Sequence, residues 1–377
     1  MHSSSDKAAE SVVRIIFFGD DYFFSDTFFH ELLGAASCVL VACVAPPMAN
    51  QRPQLTRLMH FFRGIAGWLS RERWDHLVTC GRIGYFSSRR SPSPASIAEP
   101  KGSRSWLDYV RLHPEIPLLR PKAVRQPTAD FVKVISELKP DVFVSVGYTK
   151  IIGEQLLSIP RMGAFNIHPS KLPLYRGGYS VFFALRDGAS EVGMTCHRIV
   201  PAVDAGDIAY QEVLQVGKRA KIRDTYDALI SRSKWMARRL LEDLLNSAVP
   251  SIEQTGPTSF YLFPKREDMW VDWAKPGSLV ESLVCAVGGE AWTILRGVTV
   301  NVVDGAFIPG VVKEAKPGTV VDLSEAGIDV ACAEDSIFRI TRLSFAAPLP
   351  FMQPMQVDAS LVARKLRLRP TQDLSGF

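Results

Sequence analysis

The chain has 377 residues, of which 47% are hydrophobic and 22% are charged, and it carries a formal net charge of +5. This composition excludes a wholly disordered chain, and no uncharged apolar run approaches the ~20 residues that a membrane-spanning helix needs. At roughly 150 residues per domain, the length predicts two or three domains. Residues 1–11 form a polar tail without the apolar core of a secretory signal, which favours a cytoplasmic location and no membrane partner.

The positive charge is concentrated in a basic insertion at residues 50–105. Residues 50–104 contain ten Lys and Arg against three Asp and Glu, a local charge of +7, so the rest of the chain sums to −2. Helical pieces are predicted at residues 58–69, and the Ser-, Pro- and Arg-rich residues 87–105 predict a loop. Such a segment either attracts phosphates and other anions or is a solvated surface insertion.

The first 250 residues alternate predicted strands and helices. Residues 12–18 and 38–45 are short, β-rich apolar runs, and the residues between them have the apolar spacing of a helix. Near-continuous apolar strands separated by a helix predict a Rossmann-like α/β fold, a mostly parallel sheet with helices on both faces. The turn after the first strand lacks GxGxxG and therefore carries no dinucleotide fingerprint. Further strands are predicted at residues 116–119, 141–147, 163–168 and 192–198, and helices at residues 128–138 and 221–245.

The sequence pattern changes past residue 250. An irregular aromatic stretch at residues 260–273 is followed by a predicted helix at residues 277–287 and then by short β-rich segments split by turns. These segments, which predict a small barrel rather than more parallel sheet, are residues 292–295, 298–303, 318–322, 328–331 and 337–343. We therefore divide the chain into a first domain at residues 12–250, which contains the insertion, and a linker with a β-barrel-like domain at residues 251–377.

The cysteines give no sign of a metal site or a disulfide framework. None of the six forms a CxxC pair, and the two nearest in sequence are five residues apart. We therefore expect reduced, buried thiols and no bound metal. The six are Cys38, Cys43, Cys80, Cys196, Cys285 and Cys332.

The densest group of polar residues with catalytic potential lies at the end of the strand predicted at residues 163–168. Asn166 and His168 are two residues apart in this strand, so their side chains leave the same face of the sheet. Asp204 lies in a glycine-containing loop after the next predicted strand, and α/β folds bind ligands at the carboxyl ends of parallel strands. An amide, an imidazole and a carboxylate that converge there suit the transfer of an acyl group to an amine. His197, within an apolar strand, is predicted to be structural.

Two motifs in this region resemble those of a known enzyme family. The run NIHPSKLPLYRG, from Asn166 to Gly177, followed by DAGDI from Asp204, resembles the signature of the formyltransferases that use 10-formyltetrahydrofolate. These include glycinamide ribonucleotide, methionyl-tRNA, sugar-nucleotide and hydroxyornithine formyltransferases. The resemblance covers the first domain apart from the insertion. More weakly, EDMWVDW at residues 267–273 resembles the linker that precedes a small OB-like barrel domain in two-domain members of the family.

The resemblance implies roles for individual residues. Asn166, His168 and Asp204 match the catalytic residues of the family. Its folate groove implies contacts of 10-formyltetrahydrofolate with Tyr148, Lys150, Ile151, Ile152, Val200, Val203 and Asp204. The acceptor is implied to lie near Gly19, Asp20, Tyr22, Phe23, Ser170, Lys171, Arg176 and Gly177. Two positions beside the acceptor depart from the family: Lys171 replaces a commonly apolar residue, and Gly178-Tyr179-Ser180 replaces an Ala-rich run.

The identity of the acceptor stays open among three interpretations. The first is a small-molecule amine, such as an amino-sugar nucleotide or a hydroxyornithine-type siderophore precursor. The second is methionyl-tRNA, and the third is a non-catalytic folate-binding protein, against which the complete Asn, His and Asp set argues. The insertion contains Arg and aromatic residues, whereas that of the methionyl-tRNA enzymes is shorter and rich in Lys and Gly. This difference favours the small molecule. The sequence does not determine the oligomeric state.

Overall fold

The structure is a computed structural model that describes residues 12–20, 23–35, 38–46, 105–310, 315–345 and 355–374. The polar tail, Tyr22 and the insertion up to residue 104, with its predicted helical pieces and loop, lie outside the described residues. The chain divides into two compact units. The first comprises Met1–His168, Met194–Glu212 and Ile230–Pro257, and the second comprises Pro169–Gly193, Val213–Leu229 and Thr258–Phe377. The domain boundary near residue 250 stays a prediction.

The described residues form 15 strands and nine α-helices. The strands are β1 (Val13–Gly19), β2 (Cys38–Val44), β3 (Leu118–Leu119), β4 (Val142–Val146), β5 (Ala164–His168), β6 (Arg176–Gly177), β7 (Glu191–Arg198), β8 (Ile208–Gln215), β9 (Phe260–Tyr261), β10 (Trp292–Leu295), β11 (Val298–Ile308), β12 (Val320–Ser324), β13 (Gly327–Cys332), β14 (Ser336–Phe345) and β15 (Met355–Asp358). The helices are α1 (Phe23–Leu33), α2 (Trp106–Leu112), α3 (Ala129–Glu137), α4 (Glu154–Leu157), α5 (Ser180–Arg186), α6 (Ile222–Ser233), α7 (Trp235–Leu245), α8 (Gly277–Val287) and α9 (Ala359–Leu366). A 3₁₀ turn covers Arg266–Met269.

A seven-stranded sheet has the strand order β3-β2-β1-β4-β5-β7-β8. The first five strands of this order pair in parallel, and β5 pairs antiparallel with β7. This arrangement confirms the predicted mostly parallel sheet. Its consequence for the site is that β5, which carries Asn166 and His168, has a parallel neighbour on one side and an antiparallel neighbour on the other.

Both faces of the sheet are covered by helices. Phe17 and Phe18 are consecutive residues of β1, so their side chains leave opposite faces. The ring of Phe17 lies 5.1 Å from that of Phe29 in α1 and 5.4 Å from that of Trp106 in α2. Phe18 belongs to a buried cluster that includes residues of α3 and α4. Helices on both faces are expected for central strands whose residues are nearly all buried, as in β1 and β4.

The C-terminal part of the second unit is an antiparallel β-rich domain. Its strands have the order β10-β11-β14-β13-β12, and β15 also pairs with β14. Apolar residues of β13 and β14 pack in one core with Val284 of α8 and Val362 of α9. Trp273, at the end of the aromatic linker, is buried, and its Nε1 donates to Thr293 Oγ1 at 3.3 Å. The predicted β-rich second domain is thereby confirmed.

Several elements were not predicted from the sequence. Among them, β8 is the last strand of the seven-stranded sheet, and most of its residues are only half-buried. An edge strand of this kind keeps polar residues and lacks the apolar run of a central strand. The helical region predicted at residues 221–245 consists of two helices, α6 and α7, separated at Lys234. In the part of the chain that the structure describes, no helix is long and apolar enough to span a bilayer.

Candidate active site

The pairing of β5 with β7 brings polar residues of two strands together. In the antiparallel register, Asn166 lies opposite His197 and His168 lies opposite Thr195. Because side chains alternate along a strand, Asn166 and His168 share a face of the sheet, as the sequence predicts. Residues directly opposite each other share that face as well, so His197 joins them. From the sequence alone His197 is predicted to be structural, because a cross-strand register cannot be read from the spacing along one strand.

Asp204 reaches the same place from the loop that follows β7. Its backbone has a φ of +50°, which is unusual for a residue other than glycine. The side chain of Gln254 donates from Nε2 to the carbonyl oxygens of Asp204 at 2.9 Å and of Gly206 at 2.7 Å. A Cβ atom on Gly206 would lie 2.0 Å from the carbonyl oxygen of Arg198, so only glycine allows this approach. The loop is therefore fixed from both sides, and the carboxylate of Asp204 is held in place.

Asn166 and His168 both approach the carboxylate of Asp204. Asn166 Nδ2 lies 3.4 Å from Asp204 Oδ1, and His168 Nε2 lies 3.7 Å from Asp204 Oδ2. The side chains of His168 and Asp204 are only 8% and 11% exposed, so the carboxylate is largely removed from water. Contacts of this length are common in ligand-free sites and shorten when a substrate is bound. The three residues selected from the sequence thus form one cluster, in which His168 is buried and Asn166 and Asp204 are half-buried.

His197 is a fourth member of this cluster. Its Nδ1 lies 2.9 Å from the carbonyl oxygen of Arg198, and a carbonyl oxygen only accepts, so Nδ1 carries the proton. In the neutral ring, Nε2 is then the acceptor, and the amide of Asn166 donates to it at 3.3 Å. The same Nε2 lies 3.4 Å from Asp204 Oδ1. With its side chain 2% exposed, His197 orients the Asn166 amide from the protein interior.

The arrangement supplies the two functions that acyl transfer requires. An amide N–H and an imidazole N–H are fixed donors for negative charge on a carbonyl oxygen. A buried carboxylate beside them can hold the imidazole in place and accept a proton from an attacking amine. In the described ranges, no group of three or more His, Cys, Asp and Glu side chains is arranged to hold a metal ion.

The residues implied to contact folate have different surroundings. The Tyr148 hydroxyl is buried without a hydrogen-bond partner among the described residues, and burial, with a smaller effect of Asp20, raises its pKa. Ile151 and Val203 are apolar residues with exposed side chains, at 42% and 38%. Lys150 is exposed and Val200 is half-buried, whereas Ile152 belongs to the hydrophobic core with Phe18.

The acceptor residues of the first unit lie around the end of β1. Gly19 is the buried last residue of β1, and Phe23 is the first residue of α1. Asp20 accepts a hydrogen bond from Thr149 Oγ1 at 2.9 Å through its carboxylate, and its carbonyl oxygen accepts from Trp106 Nε1 at 3.1 Å. The ends of β1 and β4 are thereby linked, which brings Asp20 next to the loop of Tyr148. Tyr22 lies outside the described residues.

The acceptor residues of the second unit belong to the loop that follows His168. Ser170 is buried, and Lys171 Nζ forms an ion pair with Glu191 at the start of β7. Arg176 and Gly177 form β6, which pairs in parallel with β9. Gly177 has a φ of +93°, and a Cβ atom there would lie 2.0 Å from the carbonyl oxygen of Tyr261. Glycine at this position is therefore required by the pairing of β6 with β9.

Comparisons with known proteins match both parts of the chain. The formyl transferase family matches residues 87–241, and the formyl transferase C-terminal domain matches residues 264–351. A methionyl-tRNA formyltransferase of Bacillus thuringiensis subsp. konkukian (strain 97-27) is 30% identical over 232 residues, 61% of this chain and 73% of that protein. One of Bacillus cereus (strain AH820) is 30% identical over 231 residues, 60% of this chain and 73% of that protein.

The chain belongs to the formyltransferase family. It is therefore an enzyme that transfers formyl groups, and the resemblance of its motifs is confirmed. Two solved formyltransferases share the fold. WlaRD, a sugar 3N-formyl transferase, was solved with dTDP and 5-N-formyl-THF. It has a TM-score of 0.52 and 15% identity, and the match covers 87% of this chain and 97% of WlaRD. The N-formyltransferase of Helicobacter canadensis was solved in complex with folinic acid and dTDP-3-aminofucose. It has a TM-score of 0.53 and 13% identity, and the match covers 87% of this chain and 98% of that protein.

Proposed function

We propose that this formyltransferase moves the formyl group of 10-formyltetrahydrofolate to the amine of a small-molecule acceptor. The observation that carries the proposal is the approach of Asn166 and His168 to the buried carboxylate of Asp204. An amide and an imidazole thus approach one carboxylate whose side chain is only 11% exposed. Buried charges of this kind are costly unless they are used or fully paired.

The loops beside this cluster fit a folate donor. Bound 10-formyltetrahydrofolate would supply a formyl carbonyl attached to nitrogen. The buried hydroxyl of Tyr148 offers a hydrogen-bonding group to a polar ring such as pterin, and it has no partner among the described residues. The exposed side chains of Ile151 and Val203 offer apolar cover for such a ring. Lys150, exposed on the same loop, offers a positive charge to the carboxylates of folate.

In the proposed reaction, each residue of the cluster has one task. The N–H groups of Asn166 Nδ2 and His168 Nε2 donate to the formyl oxygen as negative charge develops on it. The carboxylate of Asp204 accepts the proton that the amine loses when its nitrogen bonds to the formyl carbon. That proton is then delivered to the departing nitrogen as its bond to the formyl carbon breaks, so charge and protons balance. His197 takes no part in proton transfer and holds the Asn166 amide in its donating orientation.

Methionyl-tRNA is a second candidate acceptor, and two observations favour it. The relatives that are 30% identical are methionyl-tRNA formyltransferases. In addition, the β-rich domain carries exposed cations at the end of α9, next to the β10–β11 turn. Arg296 Nη1 donates to the carbonyl oxygens of Leu366 at 3.2 Å and Arg367 at 3.1 Å, which joins the turn to this helix end. The exposed cations, which suit contacts with phosphates, are Arg296, Arg364, Lys365, Arg367 and Arg369.

An acceptor panel tests the proposal. The protein is incubated with 10-formyltetrahydrofolate and, separately, with an amino-sugar nucleotide, N-hydroxyornithine or methionyl-tRNA, and formylated product is measured by mass spectrometry. Asn166→Ala serves as the inactive control, and Asp207→Asn, in the same loop as Asp204, serves as the matched active control. We expect product from a small molecule. Product from methionyl-tRNA alone would establish the second candidate, and binding of the folate without turnover of any acceptor would favour the non-catalytic interpretation.

A further inference from the structure

The loop after β7 is closed by a short segment from farther along the chain, residues 251–254, which we call the strap. Ile252 pairs antiparallel with Ile208, the first residue of β8, through two backbone hydrogen bonds of 2.8 and 3.0 Å. Ser251 Oγ donates to Asp207 Oδ2 at 2.5 Å. The loop and the strap both belong to the first unit. The strap is therefore bound to the end of this loop.

Gln254, the last residue of the strap, reaches into the middle of the loop. Its Nε2 donates to the carbonyl oxygens of Asp204 at 2.9 Å and of Gly206 at 2.7 Å. An amide nitrogen carries two N–H groups, which is the number that these two carbonyls require. The other three residues of the strap are exposed, and Ile252 is 59% exposed. Hydrogen bonds rather than apolar packing therefore hold the strap on the loop.

The backbone conformation of Asp204 needs such support from outside. Its φ of +50° is left-handed, and for a residue with a Cβ atom this form is about 5- to 30-fold less populated than the right-handed one. Rotation about the backbone bonds of Asp204 reorients its carbonyl group and its side chain together, so a hydrogen bond to the carbonyl selects one orientation of the carboxylate. Because one hydrogen bond shifts an equilibrium by about 2- to 12-fold, the two bonds from Gln254 are large enough to decide the conformation.

We infer that Gln254 is a positioning residue for formyl transfer, which keeps the carboxylate of Asp204 next to Asn166 and His168. The inference rests on the proposed function, which gives this carboxylate the task of accepting the proton. Gln254 acts only through Asp204 and takes no part in proton transfer. Without its two bonds, Asp204 relaxes to the right-handed conformation in most molecules, and only the remaining fraction is competent for the reaction.

A double-mutant cycle tests this role. Gln254→Leu removes both donors, and kcat is measured with 10-formyltetrahydrofolate and each acceptor of the panel: an amino-sugar nucleotide, N-hydroxyornithine and methionyl-tRNA. We expect kcat to fall by about 5- to 30-fold, the preference for the right-handed conformation. In an Asp204→Ala background the same substitution should change kcat less than about twofold, because the carboxylate that Gln254 positions is absent. Gln254→Glu, whose ionised side chain has a similar shape and only accepts, should behave as Gln254→Leu does.

A matched control and a second readout accompany the kinetics. The Nδ2 of Asn246 also donates to a backbone carbonyl oxygen of the first unit, that of Glu242 at 2.8 Å, but at the end of α7. Asn246→Leu should therefore leave kcat unchanged. Hydrogen–deuterium exchange, which needs no acceptor, should become faster at residues 203–207 in Gln254→Leu and stay unchanged there in Asn246→Leu. Thermal unfolding confirms that each variant is folded.

The outcomes separate the inference from the proposed function. A wild-type kcat in the Gln254 variants, an equal loss of kcat in both backgrounds, or unchanged exchange of the loop would overturn the positioning role while a slow Asp204→Ala enzyme upheld the proposed chemistry. A wild-type rate of Asp204→Ala would overturn the task assigned to that carboxylate, and the positioning role with it. If the wild type formylates none of the three acceptors, the proposed function fails, and exchange of the loop alone then supports or overturns the placement of Asp204 by Gln254.

Discussion

The most informative perturbation of the active site is the replacement of His197, a residue that touches neither donor nor acceptor in the proposed mechanism. His197→Phe keeps the ring and nearly the same volume in a position where the side chain is 2% exposed. It removes the Nδ1 bond to the Arg198 carbonyl and the Nε2 acceptor that orients the Asn166 amide. His197→Gln restores an acceptor close to the position of Nε2 and serves as the conservative counterpart.

The magnitude follows from these two bonds. Loss of a neutral buried hydrogen bond costs about 1 kcal/mol, and leaving a buried polar group unpaired costs about 1–3 kcal/mol. We assign the loss at Arg198 to stability, since that carbonyl takes no part in the proposed chemistry. The loss at Asn166 acts on a donor that stabilises the transition state. At about 1.4 kcal/mol for each factor of ten, a cost of about 1–2 kcal/mol there lowers kcat by about 5- to 30-fold.

Steady-state kinetics with 10-formyltetrahydrofolate separate the two effects. An interaction that matters only in the transition state changes kcat and leaves KM near its wild-type value. We therefore expect His197→Phe to have a lower kcat with an unchanged KM for both substrates, and His197→Gln to recover most of the rate. A His197→Phe enzyme that unfolds at a lower temperature but turns over at the wild-type rate would refute the positioning role and leave His197 purely structural.

Three further predictions concern the site and its supports. Asn166→Ala and His168→Ala should each fold and lose at least about 100-fold in activity, as expected for one oxyanion donor, and near-wild-type turnover of either would contradict the assignment. Gly206→Ala places a Cβ atom 2.0 Å from a backbone oxygen, so it should lower the free energy of unfolding by about 1–3 kcal/mol and reduce activity. Gly217→Ala is the matched control: no atom lies within 4 Å of its Cβ position, so thermal unfolding should be unchanged. Burial, with smaller effects of nearby charges, raises the pKa of Tyr175 from 10.0 to about 12. Because the tyrosine then ionises first in the unfolded chain, the free energy of unfolding should fall as the pH rises from 10.0 to about 12. Tyr175→Phe should remove this loss of stability, and a variant with the same dependence of unfolding on pH as the wild type would contradict the prediction.

The sequence predicts elements best where one local signal dominates. The boundaries of α8 and β10 agree with the prediction because an apolar helical run ends directly before Gly288 and an apolar strand ends before the turn Arg296-Gly297. In contrast, the sequence predicts that β11 ends at Val303, whereas the strand continues to Ile308. Its Asp304-Gly305 pair reads as a turn signal, but the register against β14 shifts there, so the pair forms a bulge within a longer strand. Composition does not distinguish a bulge from a turn, because the partner strand is distant in the sequence.

The active site likewise contains residues that a local pattern predicts and residues that depend on distant parts of the chain. Asn166 and His168 could be found from a spacing of two along one strand, and Asp204 from its glycine-containing loop. His197 and Gln254 required information that no local pattern contains. His197 enters through the register of β5 against β7, and Gln254 reaches the Asp204 loop from a segment 50 residues farther along the chain. Residues that position catalytic groups are therefore harder to predict than the catalytic groups themselves.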